Sequence, residues 1–387
     1  MNEMTRKVFE TIDQLADQYL QVLVDCCNIE SKSEDKEGVD RVGAYFAAIA
    51  EEKGYTIRKQ EFEKAGNVYS FTYNPDGAKK LISLSGHMDT VHEKGIFGYP
   101  PVRIHGDYVY GPGVIDCKGG IVLDLLVMEA LKKCGYKDRP VKLILQSDEE
   151  VDSCLSDYAS VAFMVEEARG SAAFINGEKL RENRCLAIGR KGIVRHKITI
   201  TGKKCHAGYC TNGASALKEA AYKIIELEKD NDVDSITFNC GVLNCAGTIN
   251  IVPDRCELFV EYRFKNMEQK KQADEKFKRI VETSYVAGTC STAEMISKRL
   301  PMEPDEKNKK LVQTINEICE SVGLEPFDAC ETAGGADSAY PSLAGIPTVD
   351  AMGLDGMDLH TANERARISS LREMAKVIAA TIIHFPE

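Results

Sequence analysis

The stretch Lys80-Leu-Ile-Ser-Leu-Ser85-Gly86-His87-Met-Asp89 decides the reading of this chain. A short run built on Leu81, Ile82 and Leu84 stops at a glycine, as a buried strand does. Its carboxyl end then presents an imidazole and a carboxylate two residues apart, a spacing that lets both face one way on extended backbone. The arrangement recurs twice downstream. Val141–Gln146 leads into Asp148-Glu149-Glu150, and the run 172–176 leads into Gly177-Glu178. Helical periodicity precedes and separates these runs, over Val8–Val24 (Ile12, Leu15, Leu20, Leu23), Asp40–Glu52 (Val42, Tyr45, Phe46, Ile49) and Gly119–Lys132. Chemistry-bearing residues at the ends of successive buried strands, with helices between, define an α/β chain with an open sheet and its site at the strand ends.

Beyond Gly192 the pattern changes. Val194, His196, Ile198 and Ile200 alternate as on a half-exposed strand. A helix over 214–229, short strands near 236–238 and 256–264, and a helix over 270–284 follow, which suits a small inserted α+β domain. The expected division is 1–190 plus 302–387 for a discontinuous first domain and 191–301 for the insert. A length of 387 residues favours two domains in any case.

The net charge of −11 argues against nucleic acid or an anionic membrane as partner. The run from Met1 to Gln18 is charged throughout and lacks the apolar stretch of a signal peptide, and nothing approaches a membrane span, so the expected location is cytoplasmic. The 14 cysteines are irregularly spaced without a CxxC pair, which predicts reduced thiols rather than a disulfide framework.

The candidate chemistry is dispersed: His87 and Asp89, Asp116 among Gly113, Gly119 and Gly120, the pair Glu149-Glu150, Glu178, and His360. Each has an ordinary alternative. His87 could be satisfied by a loop carbonyl, Asp116 could cap the helix that begins at Gly119, and the acidic run could be a solvated surface. Together they supply two imidazoles, several carboxylates and a spare glutamate, the inventory of a two-metal hydrolytic site with a base for the attacking water. Cys117, Cys154 and Cys205 lie beside these motifs without a partner pattern for a nucleophile and read as small buried fillers.

In this order the motifs resemble the di-zinc exopeptidase and deacylase family of glutamate carboxypeptidases, acetylornithine deacetylases, succinyl-diaminopimelate desuccinylases and aminoacylases. His87-Met-Asp-Thr-Val91, Gly106-Asp-Tyr-Val-Tyr-Gly-Pro-Gly113, Ile200-Thr-Gly-Lys-Lys-Cys-His-Ala-Gly208 and Gly345-Ile-Pro347 look like the carboxypeptidase G type. The resemblance implies a zinc-exopeptidase-like catalytic domain on a mixed sheet, with an inserted lid or dimerisation domain. It implies two Zn2+ per subunit, with Co2+ or Mn2+ as substitutes. Asp116 would bridge, His87 and Glu178 would complete one ion, and Glu150 and His360 the other. Glu149 would be the base, Asp89 the orienting carboxylate, and the Asp116–Cys117 bond cis. His206 would reach across a homodimer to the oxyanion, while Asn250, Arg263 and Arg299 would bind the substrate carboxylate or shape its pocket. The expected substrate is a small peptide or N-acyl amino acid.

Two departures touch substrate preference: Ala336 removes a hydroxyl from the Gly334-Gly335-Ala336-Asp337-Ser338 turn, and Cys205 precedes His206 where relatives carry a small residue or serine. Rival expectations are an N-acyl amino acid deacylase or di-/tripeptidase of the same family, a non-catalytic metal-dependent binding protein, and a thiol-based redox protein.

Overall fold

The computed structural model describes all residues 1–387, and the chain divides into two compact units. The first comprises 1–188, 304–331 and 336–387; the second comprises 189–303 together with 332–335. The short segment Thr332–Gly335 therefore departs from the division expected from sequence, because its backbone is held by residues of the second unit: Lys191 N donates to Thr332 O at 3.2 Å, and Arg263 Nη1 to Ala333 O at 2.8 Å.

The first unit is built on a mixed six-stranded sheet in the order Thr56–Gln60, Val68–Tyr73, Val141–Gln146, Ile82–His87, Ala173–Asn176, Thr348–Val349. The first three strands pair antiparallel and the last four parallel. Central parallel strands are covered on both faces, which explains why Ile82–His87 and Ala173–Asn176 are buried at every position. Their small polar residues pair across the ladder rather than break it: Ser83 Oγ lies 2.8 Å from Ser171 Oγ, and Ser85 Oγ donates to Asn176 Oδ1 at 2.6 Å.

On one face the helices Glu3–Cys27, Lys36–Glu52, Lys118–Lys133 and Ile368–His384 pack over Phe71, Ile82, Leu84, Leu143 and Leu145. On the other, the shorter helix Ala159–Glu167 places Phe163 and Met164 against Val68, Ile144 and Phe174. Lys118, two residues after Asp116, is fully buried and donates to Ile29 O at 2.9 Å, close to the end of the first helix. No helix is long and apolar enough to cross a membrane.

The second unit is an antiparallel sheet in the order Thr237–Cys245, Arg255–Phe264, Gly192–Thr201, Cys290–Arg299. Helices Ala216–Glu228 and Met267–Glu282 cover one face, and burial alternates strictly from Cys256 to Phe264, as a one-sided sheet requires. Its last strand, Cys290–Arg299, is absent from the sequence expectation because six of its first seven residues are exposed. Cys245 and Cys256 are register partners with Cα atoms 4.4 Å apart and are joined as a disulfide, which corrects the expectation of reduced thiols throughout; the remaining cysteines are free.

Candidate active site

Three neighbouring strands deliver the chemistry. His87 is the last residue of Ile82–His87, Glu149 and Glu150 open a single 3-10 turn after Val141–Gln146, and Glu178 follows Ala173–Asn176. Asp116 sits just before helix Lys118–Lys133, across a cis peptide bond to Cys117. His360 comes from a loop in which both it and Asp358 have left-handed backbone (φ 60° and 63°).

The Asp116 carboxylate is the centre of the cluster. Its Oδ1 lies 3.0 Å from His87 Nε2 and its Oδ2 3.0 Å from His360 Nε2. Beyond each imidazole stands a second carboxylate: Glu178 Oε1 is 3.6 Å from His87 Nε2, and Glu150 Oε2 is 3.5 Å from His360 Nε2. All of these are buried or nearly so except His360, whose side chain is 55% exposed. The result is one carboxylate facing two imidazole–carboxylate pairs.

Burial opposes charge on Asp116, yet hydrogen bonds from His360 and His87 hold its carboxyl well below the usual range. Burial and then the Asp116 charge push Glu150 well above it. His360 is raised to about 11 by its hydrogen bonds to Asp116 and Glu150. Burial disfavours protonation of His87, but Cys117, Asp116 and Asp89 together raise it well above the ordinary imidazole value. Protons on the imidazoles here balance carboxylate charge, and the mixed imidazole and carboxylate donor set fits divalent cations. Donor atoms of His87, Asp116 and Glu150 lie within 4.8 Å of one another, as do those of His87, Cys117 and Glu178. Cys117 is the poorer ligand: its Sγ accepts the His87 backbone N–H at 3.1 Å, and burial pushes the thiol up to about 12.

Asp89 is fully buried and organises the acidic pair through the main chain. Its Oδ1 accepts from Glu149 N at 3.2 Å, and its Oδ2 from Glu150 N at 3.1 Å and from Ser33 Oγ at 2.7 Å. The expected contact of its carboxylate with the far imidazole nitrogen is the weaker one. His87 Nδ1 is 3.4 Å from Asp89 Oδ1 but 3.0 Å from the Asp89 backbone oxygen, so a carbonyl sets the tautomer. Glu149, 7% exposed, shares the turn with Glu150. Ser33 was not foreseen; its only sequence signal is its place in a Ser-Lys-Ser turn after the first helix.

His206, Asn250, Arg263 and Arg299 belong to the second unit and fall into two groups. His206 and Asn250 share an exposed corner, where His206 pairs in register with Ile251 and Ala207 N donates to Asn250 O at 2.8 Å. The Gly208 N–H donates to His206 Nδ1 at 3.1 Å, which leaves Nε2 as the hydrogen-bearing nitrogen of the neutral ring. Arg263 and Arg299 both stand opposite Ile193, at the other end of the ten-residue strand Gly192–Thr201, roughly 30 Å long at strand rise. Arg299 is 3% exposed and packs closely on Gly335.

A mixed sheet with imidazoles and carboxylates gathered at its strand ends defines a metal-dependent hydrolase. Residues 83–384 match the model of peptidase family M20/M25/M40, and the chain belongs to that family of metallopeptidases and amidohydrolases. The chain is 28% identical over 354 residues to carboxypeptidase G2 of a Pseudomonas species, covering 88% of this chain and 83% of that protein. Two solved structures share the fold. One is an M20 family metallo-carboxypeptidase from Sulfolobus solfataricus (18% identity, TM-score 0.78, covering 94% of this chain and 98% of that one). The other is a tripeptidase from Staphylococcus aureus (21% identity, TM-score 0.77, covering 95% of this chain and 97% of that one).

Proposed function

We propose that this chain is a zinc-dependent exopeptidase that removes a C-terminal amino acid, glutamate foremost, from a peptide or N-acyl conjugate. The observation that carries the reading is Asp116 with one imidazole on each oxygen and a further carboxylate behind each ring. His87, Asp116 and Glu178 would hold one cation, and Asp116, Glu150 and His360 the other. Bound divalent cations supply Lewis acidity to the scissile carbonyl and to the attacking water. Glu149 takes the water's proton and returns it to the leaving amine. Asp89 keeps Glu149 and Glu150 in place by holding both backbone N–H groups. Arg299 and Arg263 bind the free carboxylate of the substrate, to which a planar guanidinium is suited.

His206 donates through Nε2 to the developing oxyanion, with Asn250 beside it. The family resemblance is what supports a homodimer in which His206 and Asn250 serve the partner's site. The 28% identity to a protein named a carboxypeptidase supports exopeptidase over acylase specificity. An intact base argues against a purely binding role, and a cytoplasmic location remains part of the reading. The test is hydrolysis of a panel of N-acyl and peptidyl amino acids with and without added zinc. Preference for substrates with a free C-terminal glutamate is expected; preference for simple acyl-amino acids without regard to the leaving residue would replace this reading with that of a deacylase.

A further inference from the structure

The hydrogen bonds of the cluster leave one question open: what fixes the loop that carries Asp116. The Asp116 side chain is engaged with the two imidazoles, so it cannot also anchor its own backbone. The anchor is Glu364, fully buried and four residues after His360. Its Oε1 accepts from Ile115 N at 3.0 Å and Asp116 N at 3.2 Å; its Oε2 accepts from His92 Nε2 at 2.6 Å and Gly113 N at 3.3 Å. The Glu364 backbone oxygen accepts from Gly111 N at 3.2 Å. One side chain thus receives four N–H donors. It ties the Asp116 loop to the segment bearing His360 and, through His92, to the segment bearing His87.

We propose that Glu364, braced by His92, is the positioning residue that sets Asp116 for metal binding, an inference that rests on the reading of Asp116 as a shared ligand. Asp89 does for Glu149 and Glu150 what Glu364 does for Asp116: each holds a ligand-bearing loop by its main-chain N–H groups. Glutamine at position 364 keeps the shape but replaces one acceptor oxygen with an NH2, which must then face an N–H donor. A misplaced loop moves Asp116, and supports of this kind typically contribute 10- to 100-fold in metal affinity.

The experiment is zinc titration of metal-free full-length protein against a chromophoric chelator, with kcat and KM measured alongside. Glu364→Gln is expected to bind zinc roughly 10- to 100-fold more weakly, to lose kcat with little change in KM, and to regain activity in excess zinc. His92→Gln, which retains an N–H donor, should stay close to the parent, while His92→Leu should weaken zinc binding. This pair decides the matter if Glu364→Gln does not fold. Parental zinc affinity in Glu364→Gln, or equal affinities in the two His92 variants, would overturn the inference. Asp116→Asn is run in parallel. Lost zinc binding there with normal binding in Glu364→Gln overturns this inference alone, whereas normal binding in Asp116→Asn overturns the metal-site reading and this inference with it.

Discussion

The strand-end cluster and the His206 corner are built in opposite ways. In the first, the side chains of His87, Asp116, Glu149, Glu150 and Glu178 are buried, and the backbone N–H groups of Glu149, Glu150 and Asp116 are held by Asp89 and Glu364. In the second, His206 and Asn250 are exposed, and the His206 ring is oriented by one N–H two residues away and a tilted contact with Tyr209. A preorganised site needs its polar groups fixed before substrate arrives, and burial with saturated hydrogen bonds does that. An exposed imidazole with a set tautomer is suited to completing a site supplied by another surface. Under the function proposed above, the contrast separates residues that make the chemistry possible from residues that would finish it on assembly.

The contrast can be broken most severely at Glu149. Glu149→Ala should retain zinc and lose kcat on the order of 10³- to 10⁴-fold, measured with metal content on the same sample. Near-parental turnover would remove the base from the buried cluster. His206→Ala should lose roughly 10²- to 10³-fold. Mixing it with Glu149→Ala subunits and allowing exchange should restore activity, because one of the two sites in a mixed dimer then has both groups. No recovery would place His206 in its own subunit's site or outside catalysis. Arg299→Lys keeps the charge but loses the fork, and should raise KM by about tenfold with kcat nearly unchanged, as loss of a charged hydrogen bond predicts. A kcat effect without a KM effect would move Arg299 away from the substrate carboxylate.

The smallest effect concerns Asp124, the buried carboxylate on helix Lys118–Lys133 that neither region uses. Neither of its oxygens has a hydrogen-bond partner, and burial alone raises its pKa well above the ordinary value. The sign follows from linkage: with the folded pKa raised, stability is fully present below the unfolded value and is lost as pH rises above it. Asp124→Asn should therefore be neutral near pH 4 and stabilising by about 1–3 kcal/mol at pH 7, read from urea midpoints at the two pH values. A variant less stable than the parent at pH 7 would show that the carboxylate has a role.

Much of the site was legible because ligands after strands leave a local signal. Leu81, Ile82 and Leu84 before His87, and the apolar run before Glu149, announce both the strand and the residue it delivers. Cys290–Arg299 left no such signal, because an exposed edge strand has little apolar alternation to display. The terminal helix Ile368–His384 escaped for the reverse reason: it is buried on most of its surface, so its periodic polar face is short. Of the supports of the site, Asp89 was legible beside His87, whereas Ser33 and Glu364 were not. Ser33 and Glu364 act on partners 56 and about 250 positions away, and mostly through backbone N–H groups that every residue carries.

The segment Thr332–Gly335 has a consequence for how this chain could be cut or grafted. The polypeptide passes between its two units at 188/189, 303/304, 331/332 and 335/336. An insert joined at two points can be excised and its ends rejoined; one joined at four cannot. Removing 189–303 would strip Thr332 and Ala333 of the contacts with Lys191 and Arg263, and would leave a loose loop three residues from Ser338, which is bonded to the buried Asp350. The second unit is thus not a cassette. Any shuffling that exchanges it for a relative's must carry the four-residue loop along, and the two pieces, though distant in the chain, should behave as a single heritable unit.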